Sequence, residues 1–184
     1  MSRVLQLESV GGASGDMLLG ALVGLGVSLE GLNETLKGLQ VDPFEIVVND
    51  VVIQGMRGVQ ARVLLEEIHS GHQDDDHKHD HEHSHPHDHD HGRHLSTILK
   101  LIEVSTLPDS VKHEASAVFQ RIGEAEAAIH GIDIEQIHFH EVGAMDSIVD
   151  IVGCCLAKHL LGVDEVVIRS LPAGHGTLTC AHGV

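Results

Sequence analysis

The sequence predicts a mixed α/β fold in which a small sheet is flanked by helices and interrupted by a long disordered loop. Short apolar stretches alternate with polar residues at the period of two that is typical of strands. Longer stretches repeat apolar residues every three or four positions, as amphipathic helices do. We therefore divide the chain into an N-terminal α/β segment (1–65), a disordered loop rich in His and Asp (66–93), and a helical segment with C-terminal strands of the same domain (94–184).

The N-terminal segment is expected to contain three strands and two helices. A strand at 4–10 leads into the glycine turn 11–16, and a helix follows from about Met17, capped by Ser14 or Asp16. Strands at 44–53 and 59–65 are expected to form a hairpin around residues 54–58. The apolar positions of the first helix are Leu18, Ala21, Leu22 and Leu25, with Gly26 at its end; Ser28 caps the second helix, which carries Leu29, Leu32, Leu36 and Leu39.

The C-terminal segment is expected to hold three helices and two short strands. The helices span 94–104, a stretch from a first-turn Pro108 to Gly131, and 143–161. Strands are expected at 166–170 and 177–180. The expected core positions are Val111, Ala115, Val118, Ile122, Ala125 and Ile129 on the second helix, and Met145, Ile148, Val149, Val152, Leu156 and Leu160 on the third. Cys154 and Cys155 are interpreted as core packing on the third helix.

The composition argues against several classes of function. With 28 acidic and 11 basic residues the formal net charge is −17, which repels nucleic-acid backbones and anionic lipid surfaces. The chain has no Trp or Tyr and three Phe, so it lacks most of the rings on which single-stranded nucleic acids stack. There is no signal-peptide pattern, no apolar run long enough to span a bilayer, and no disulfide framework, which together predict a cytoplasmic protein.

The loop is a histidine tract with a metal-binding composition. Histidine recurs at every second position from residue 77 to residue 91, and the positions are His77, His79, His81, His83, His85, His87, His89 and His91. Imidazole suits borderline divalent metals such as nickel, copper, cobalt and zinc. In a disordered segment many weak sites would act as a buffer with quick exchange, whereas the alternative is a solubilising spacer that binds metal incidentally.

Metal-capable side chains are densest between residues 138 and 150. His138, His140, Glu141, Asp146 and Asp150 fall within this run, at the start of a predicted helix. Asp146 and Asp150 are four residues apart, so they share one helical face and repel each other unless a cation lies between them. Each of these residues alone would also fit an ordinary surface or first-turn position, but the cluster as a whole favours a metal site.

Two glycine-rich segments are weaker candidates. The turn at 11–16 connects a strand to a helix, and Ser14, Gly15 and Asp16 would lie where backbone N–H groups can hold a phosphate. It has neither the Walker nor the dinucleotide spacing, and a plain tight turn is the alternative. The segment 174–183 carries His175, Cys180 and His182, which are either further metal ligands or part of a turn.

These elements together resemble one family, the LarC proteins, which insert nickel during biosynthesis of the nickel-pincer cofactor. The matching stretches are Gly12-Ala13-Ser14-Gly15-Asp16-Met17-Leu18-Leu19-Gly20-Ala21-Leu22, then Arg93-His94-Leu95-Ser96, then His138-Phe139-His140-Glu141-Val142-Gly143-Ala144-Met145-Asp146-Ser147-Ile148-Val149-Asp150-Ile151-Val152-Gly153, and Ala181-His182-Gly183. They follow the family's order over nearly the whole chain. Glu8 and Ser9 depart from the pattern, since the family usually has Asp and then a cysteine or another small residue there.

The resemblance implies a specific reaction. The family inserts nickel into pyridinium-3,5-bisthiocarboxylic acid mononucleotide, a lyase-type metallation that forms the carbon–nickel and sulfur–nickel bonds of the cofactor of lactate racemase. It consumes CTP with Mn²⁺ or Mg²⁺, and its CTP site belongs to a C-terminal region. The chain is therefore expected to be the N-terminal part of such a protein, needing a C-terminal domain or a separate C-terminal half as partner.

The same resemblance suggests roles for the residues of the site. The histidine tract would gather Ni²⁺ and pass it to a set drawn from His138, His140, Glu141, Asp146, Asp150 and Asp16. A general base must remove the ring proton during metallation, and His140 and Glu141 are the candidates. The sequence does not determine the order of the strands. It also leaves the oligomeric state open, and a homo-oligomer is one of the options.

Two rival functions belong to other classes. One is a nickel storage or delivery chaperone, in which the tract carries all the function. The other is a metal-dependent hydrolase built on the run around His140, for which no nucleophile-activating ligand set can be identified.

Overall fold

A computed structural model describes residues 2–9, 12–65, 93–139, 142–169, 171, 176 and 177. The helices are α1 (Gly15–Gly24), α2 (Leu29–Leu36), α3 (Leu95–Val104), α4 (Asp109–His130) and α5 (Met145–Leu160). The strands are β1 (Val4–Leu7), β2 (Phe44–Ile53), β3 (Met56–Leu65), β4 (Arg93–His94), β5 (His138–Phe139) and β6 (Glu165–Ile168). Short 3₁₀ turns occupy Lys37–Leu39 and Ile134–Gln136. The mixed α/β prediction is confirmed.

The described strands pair into three two-stranded sheets. β1 and β6 are parallel, with Val4 opposite Glu165 and Leu7 opposite Ile168. β2 and β3 form an antiparallel hairpin, and β4 and β5 form a two-residue antiparallel ladder. None of these pairings except the hairpin could be expected from the order of the strands, because the other two join segments far apart in the sequence.

The hydrophobic core lies among α1, α5, the hairpin and the α3–α4 pair. Its largest fully buried side chains are Phe119, Phe139, Leu19, Leu22, Leu32, Leu36, Leu39, Ile46, Ile98, Ile102, Ile137 and Ile148. Gly20 allows α1 to lie directly on the hairpin, since a Cβ atom there would be 2.3 Å from the Val59 carbonyl oxygen. The Asn33 side chain joins α2 to β2 through two hydrogen bonds to the backbone of Ile46, of 2.8 and 2.9 Å.

Several predicted boundaries need correction. The hairpin connection is a two-residue turn, because Gln54 and Gly55 both adopt positive φ (51° and 82°) and β3 already begins at Met56. Helix α1 begins at Gly15, two residues before the predicted start. Pro108 lies one residue before α4 rather than in its first turn, and its carbonyl accepts hydrogen bonds from the first turn of the helix.

The buried faces of the helices also differ from the predicted ones. On α4, Ala125 and Ile129 are exposed (Ile129 to 81%), and Phe119 and Gly123 are buried in their place. Leu160 of α5 and Leu25 after α1 are exposed as well, since both lie at helix ends beyond the packed layer. An apolar stripe that is predicted from constant spacing includes residues at the helix ends, where no neighbouring element remains to cover them.

The remaining expectations are confirmed, corrected, or concern residues outside the described ranges. Ser28 caps α2 by accepting a hydrogen bond from the Gly31 N–H, as predicted. The last strand spans Glu165–Ile168 rather than 166–170, Thr177 lies outside any strand, and Arg93 belongs to β4 rather than to the loop. Residues 66–92 and 178–180 lie outside the described residues. No helix in the described ranges has the length and hydrophobicity needed to cross a membrane.

Candidate functional site

Three carboxylates meet where helices α1 and α5 begin. Asp146 and Asp150 lie one turn apart on α5, and Asp16 lies in the first turn of α1. Gly15 makes the approach of the two helices possible, because a Cβ atom at residue 15 would lie 2.7 Å from Cβ of Asp150. The spacing in the sequence predicted the pairing of Asp146 with Asp150, and the family resemblance included Asp16 in the same set; the structure brings Asp16 beside them through this contact.

Asp150 is the residue under the greatest electrostatic strain in this group. Its Oδ1 atom is buried and accepts no hydrogen bond from any residue that the structure describes. Burial, followed by the negative charges of Asp16 and Asp146, raises the pKa of Asp150 to about 6. The Asp16 backbone N–H hydrogen-bonds to this carboxylate and lowers the pKa, but it offsets only part of the increase. A cation placed at Oδ1 would relieve both the repulsion and the missing hydrogen bond.

The glycine turn before α1 is held by its own side chains. Asp16 Oδ1 accepts hydrogen bonds from the Met17 N–H (2.8 Å) and from the Ser14 hydroxyl. Ser9 Oγ accepts a hydrogen bond from the Gly12 N–H at 3.1 Å. Because the Asp150 carboxylate packs against Gly15, the surroundings of this turn favour a cation over a phosphate. A phosphate-binding role for Ser14, Gly15 and Asp16 stays a prediction.

The β4–β5 ladder positions the segment that leads into α5. His138 lies in β5 and is half-buried, while Phe139 is fully buried in the core. The Arg93 guanidinium donates a 2.7 Å hydrogen bond to the Gly143 carbonyl. A Cβ atom at Gly143 would lie 2.4 Å from the Phe139 carbonyl oxygen, so Gly143 packs closely against the end of β5. His140 and Glu141, the predicted general bases, lie outside the described residues.

A cavity of about 410 Å³ adjoins the carboxylates and was not expected from the sequence. Its walls come from the β1–β6 sheet and helices α1, α4 and α5, and they include Asp150 and Cys154. Cys154 is half-buried, and its thiol donates a weak 3.5 Å hydrogen bond to the Gly15 carbonyl, whereas Cys155 is buried in the core as predicted. Burial raises the pKa of each thiol to about 12, so both are protonated at neutral pH. The alternating pattern of β1 and β6 could not reveal the cavity, because it depends on how far the sheet lies from the helices.

The predicted metal ligands are only partly brought together. Within the described ranges, no three His, Cys, Asp or Glu side chains are arranged so that they could hold one ion. The tract histidines from His77 to His91 lie outside those ranges, as do His175, Cys180 and His182. Asp16, Asp146 and Asp150 are neighbours, while His138 lies on the ladder that precedes them.

Comparison with known proteins identifies the family. A family model described as "Nickel insertion protein" matches residues 5–184, which is nearly the whole chain. The chain belongs to the nickel insertion protein family. The matched span includes the three carboxylates of the site and the β4–β5 ladder.

Individual nickel insertion proteins resemble this chain over its whole length. The protein named pyridinium-3,5-bisthiocarboxylic acid mononucleotide nickel insertion protein from Staphylococcus epidermidis is 39% identical over 184 residues, covering 100% of this chain and 41% of its own length. Proteins of the same name from Geobacillus kaustophilus and Desulfitobacterium hafniense are 40% and 43% identical over 99% of this chain. The chain thus spans about two-fifths of the length of these relatives. No solved structure matches it.

Proposed function

We propose that this chain is the nickel-handling part of a protein that inserts nickel into pyridinium-3,5-bisthiocarboxylic acid mononucleotide. The observation that supports this most directly is the buried oxygen of Asp150, which has no hydrogen-bond partner among the described residues and lies beside the charges of Asp16 and Asp146. Such a group attracts a cation, and the family name of the chain's relatives gives that cation as nickel. Nickel is the cargo of this site and leaves it with the product.

The residue types suit temporary binding. Carboxylate and imidazole ligands hold nickel less tightly than thiolates, so the ion can be passed on. The reaction replaces a ring C–H bond with a carbon–nickel bond, and the released proton needs an acceptor, for which His140 and Glu141 remain the candidates. The product would be the nickel-pincer cofactor that serves lactate racemase and related enzymes.

In this proposal, the rest of a longer polypeptide meets the other requirements of the reaction. CTP would be consumed together with Mn²⁺ or Mg²⁺, and its triphosphate does not suit the carboxylate-lined start of α1. A C-terminal domain or a separate C-terminal half would therefore bind it. We place the reaction in the cytoplasm, where no nucleic acid or membrane takes part, and assembly of several copies is compatible with it.

The test measures cofactor formation when this chain is mixed with the part of the Geobacillus kaustophilus relative that lies beyond the matched region. Nickel incorporation into the mononucleotide is followed by mass spectrometry in the presence of CTP, Mg²⁺ and excess nickel. Asp150→Asn is expected to lower the rate by about tenfold or more, since it removes the charge that faces the ion. The exposed Asp109→Asn on α4 should leave the rate unchanged. Equal rates for Asp150→Asn and the parent would refute the assignment of the site.

The second candidate, nickel storage or delivery without chemistry, is favoured by the histidine tract itself. Deleting residues 69–92 separates the two functions and leaves Arg93 in place to bond Gly143. An insertion protein given ample nickel should retain cofactor formation after the deletion. A storage protein would lose its nickel-supplying activity and would show no cofactor formation before or after it.

A further inference from the structure

Two histidines face each other across the β4–β5 ladder. His94 lies directly opposite His138 in the register of the two strands. Their ring centroids are 4.9 Å apart and the ring planes are inclined by 75°. His138 belongs to the proposed nickel-handling set, whereas no role has been given to His94.

The orientation of the His94 ring resembles that of a metal ligand. Its Nδ1 atom lies 3.3 Å from the Ile137 carbonyl oxygen. With the proton on Nδ1, the ring donates to this carbonyl and presents the lone pair of Nε2 outward. Metal-binding histidines nearly always donate their other ring N–H to a carbonyl or carboxylate in this way. The backbone is held here too, because the Leu95 N–H donates to the same carbonyl and His94 occupies the N-cap position of α3.

The distance between the two rings suits a shared ion. Two imidazoles bound to one ion through nitrogen bonds of about 2.0–2.1 Å have centroids roughly 4.5–5.2 Å apart for bond angles between about 90° and 109°. The observed 4.9 Å lies inside this range. The ladder therefore already holds the two rings at a separation that one shared ion requires, without movement of the strands.

The pair also lies at a meaningful point along the chain. Arg93 is the first described residue after the histidine tract, and it is bonded to Gly143, two residues before α5. His94 follows it directly. The pair therefore lies between the segment that would collect nickel and the helix that carries Asp146 and Asp150.

We propose that His94 and His138 form a two-imidazole site for Ni²⁺, a transfer point between the tract and the carboxylates at the start of α5. Water completes the coordination of the ion, so the site is weaker than a full cage and releases nickel readily. The identity of the metal rests on the proposed function, while the geometry alone would admit any borderline divalent cation that imidazole prefers.

The test uses the full chain with the tract histidines from His69 to His91 replaced by asparagine, so that their binding does not conceal the pair. Ni²⁺ binding is measured by calorimetry, and Cu²⁺ is used as a second probe whose electron paramagnetic resonance spectrum counts bound nitrogens. His94→Gln and His138→Gln are each expected to weaken Ni²⁺ binding about tenfold or more and to remove one nitrogen from the copper spectrum. The double variant should lose little more than either single variant, because both belong to one site.

The control is His113→Gln, an exposed histidine on α4, which should bind as the parent does. Circular dichroism and the urea midpoint show whether each variant is folded, and His94→Asn is a smaller alternative if His94→Gln is not. Unchanged Ni²⁺ affinity in a folded His94 variant overturns the proposal. If Asp150→Asn in the same background then weakens binding, the proposed function stands without the pair; if it does not, both fail.

Discussion

At the scale of single residues, the side chain of Asp150 is held where its charge is disfavoured. Gly15 has no side chain, so the carboxylate of Asp150 can press against α1, next to Asp16. This contact removes water from Oδ1 and adds the charge of Asp16 to that of Asp146, which lies one turn away on α5. Without a metal ion, the native state should therefore be less stable when Asp150 is ionised.

This predicts a pH-dependent stabilisation by Asp150→Asn. The pKa of Asp150 rises from 3.8 to about 6 on folding, so the native state binds more protons between these values and loses stability as the pH rises through them. Asn carries no such penalty. In EDTA, the variant should be more stable than the parent by about 1–2 kcal/mol at pH 8, after allowance for solvent screening, and equal to it below about pH 4.

Urea unfolding at pH 4, 6 and 8 measures this difference. The exposed Asp42→Asn serves as the control, and it should give a small, constant difference. A parent that is more stable than Asp150→Asn at pH 8 without metal would contradict the account. Saturating nickel should reverse the order, because the ion binds the parent carboxylate.

The residue scale also shows how far the sequence could predict the site. The four-residue spacing of Asp146 and Asp150 was sufficient to place them on one face of a helix. Nothing in the local pattern indicated that Asp16 would join them, since that depends on two helices more than 120 positions apart approaching through Gly15. His94 and His138 likewise lie opposite each other only because a ladder joins two strands that are far apart in the sequence.

At the scale of elements, helix α1 lies on the hairpin through a contact that only glycine permits. A Cβ atom at Gly20 would be 2.3 Å from the Val59 carbonyl oxygen and 3.2 Å from the Ala61 nitrogen. Both atoms belong to the backbone of β3, which cannot yield as the end of a side chain can. The position of α1, and with it that of Gly15 and Asp16, depends on this contact.

Gly20→Ala is therefore expected to destabilise the protein by about 1–3 kcal/mol, as overpacking in a core does. The matched control is Gly31→Ala on α2, where the nearest atom to a new Cβ is 3.5 Å away. There the alanine should be neutral or stabilise the helix by up to about 1 kcal/mol. Urea midpoints measure both effects, and an equal response at the two positions would refute the close-contact argument.

A second link between elements runs through Asn33. Its amide group both donates to the Ile46 carbonyl and accepts from the Ile46 N–H, which ties α2 to the outer edge of β2. Asn33→Ala leaves both backbone groups without this partner and should cost about 1–3 kcal/mol. Asn49→Ala, at an exposed position of the same strand, should cost much less. Thermal unfolding distinguishes them, and similar losses would show that the two bonds contribute little.

Helices were easier to predict than their buried faces. The periodicity located the helices α1 to α5, because that pattern is local. The predicted ends agree within two residues except at α2, which ends at Leu36, whereas its predicted stripe ran on to Leu39 in the following 3₁₀ turn. The buried set of α4 shifts to Phe119 and Gly123 because α3, Leu95 and Phe139 pack there. Which side of a helix is covered depends on its neighbours, which a single helix does not specify.

At the scale of the whole molecule, the charge is strongly unbalanced. A formal net charge of −17 on 184 residues causes self-repulsion that opposes the compact state. The described ion pairs include the partly buried Lys158–Glu114 pair and the exposed Lys37–Glu34 pair, which neutralise a small part of this charge.

Salt should therefore stabilise the chain. Raising NaCl from about 0.02 to 0.5 M shortens the screening length several-fold and should increase the free energy of unfolding by a few tenths to about 1 kcal/mol. Urea unfolding at both salt concentrations, at pH 8 in EDTA, measures the change. A decrease in stability with added salt would mean that the attractive pairs outweigh the overall repulsion.

The parallel β1–β6 ladder also bears on how the protein is made. Val4 pairs with Glu165, so β1 has to wait during synthesis for β6, the last strand that the structure describes. The hairpin and the helices make shorter-range contacts and can form earlier during synthesis. Until β6 has been synthesised, β1 is thus a nascent strand without its partner, and the time needed to reach Ile168 limits when the sheet beside the carboxylates can assemble.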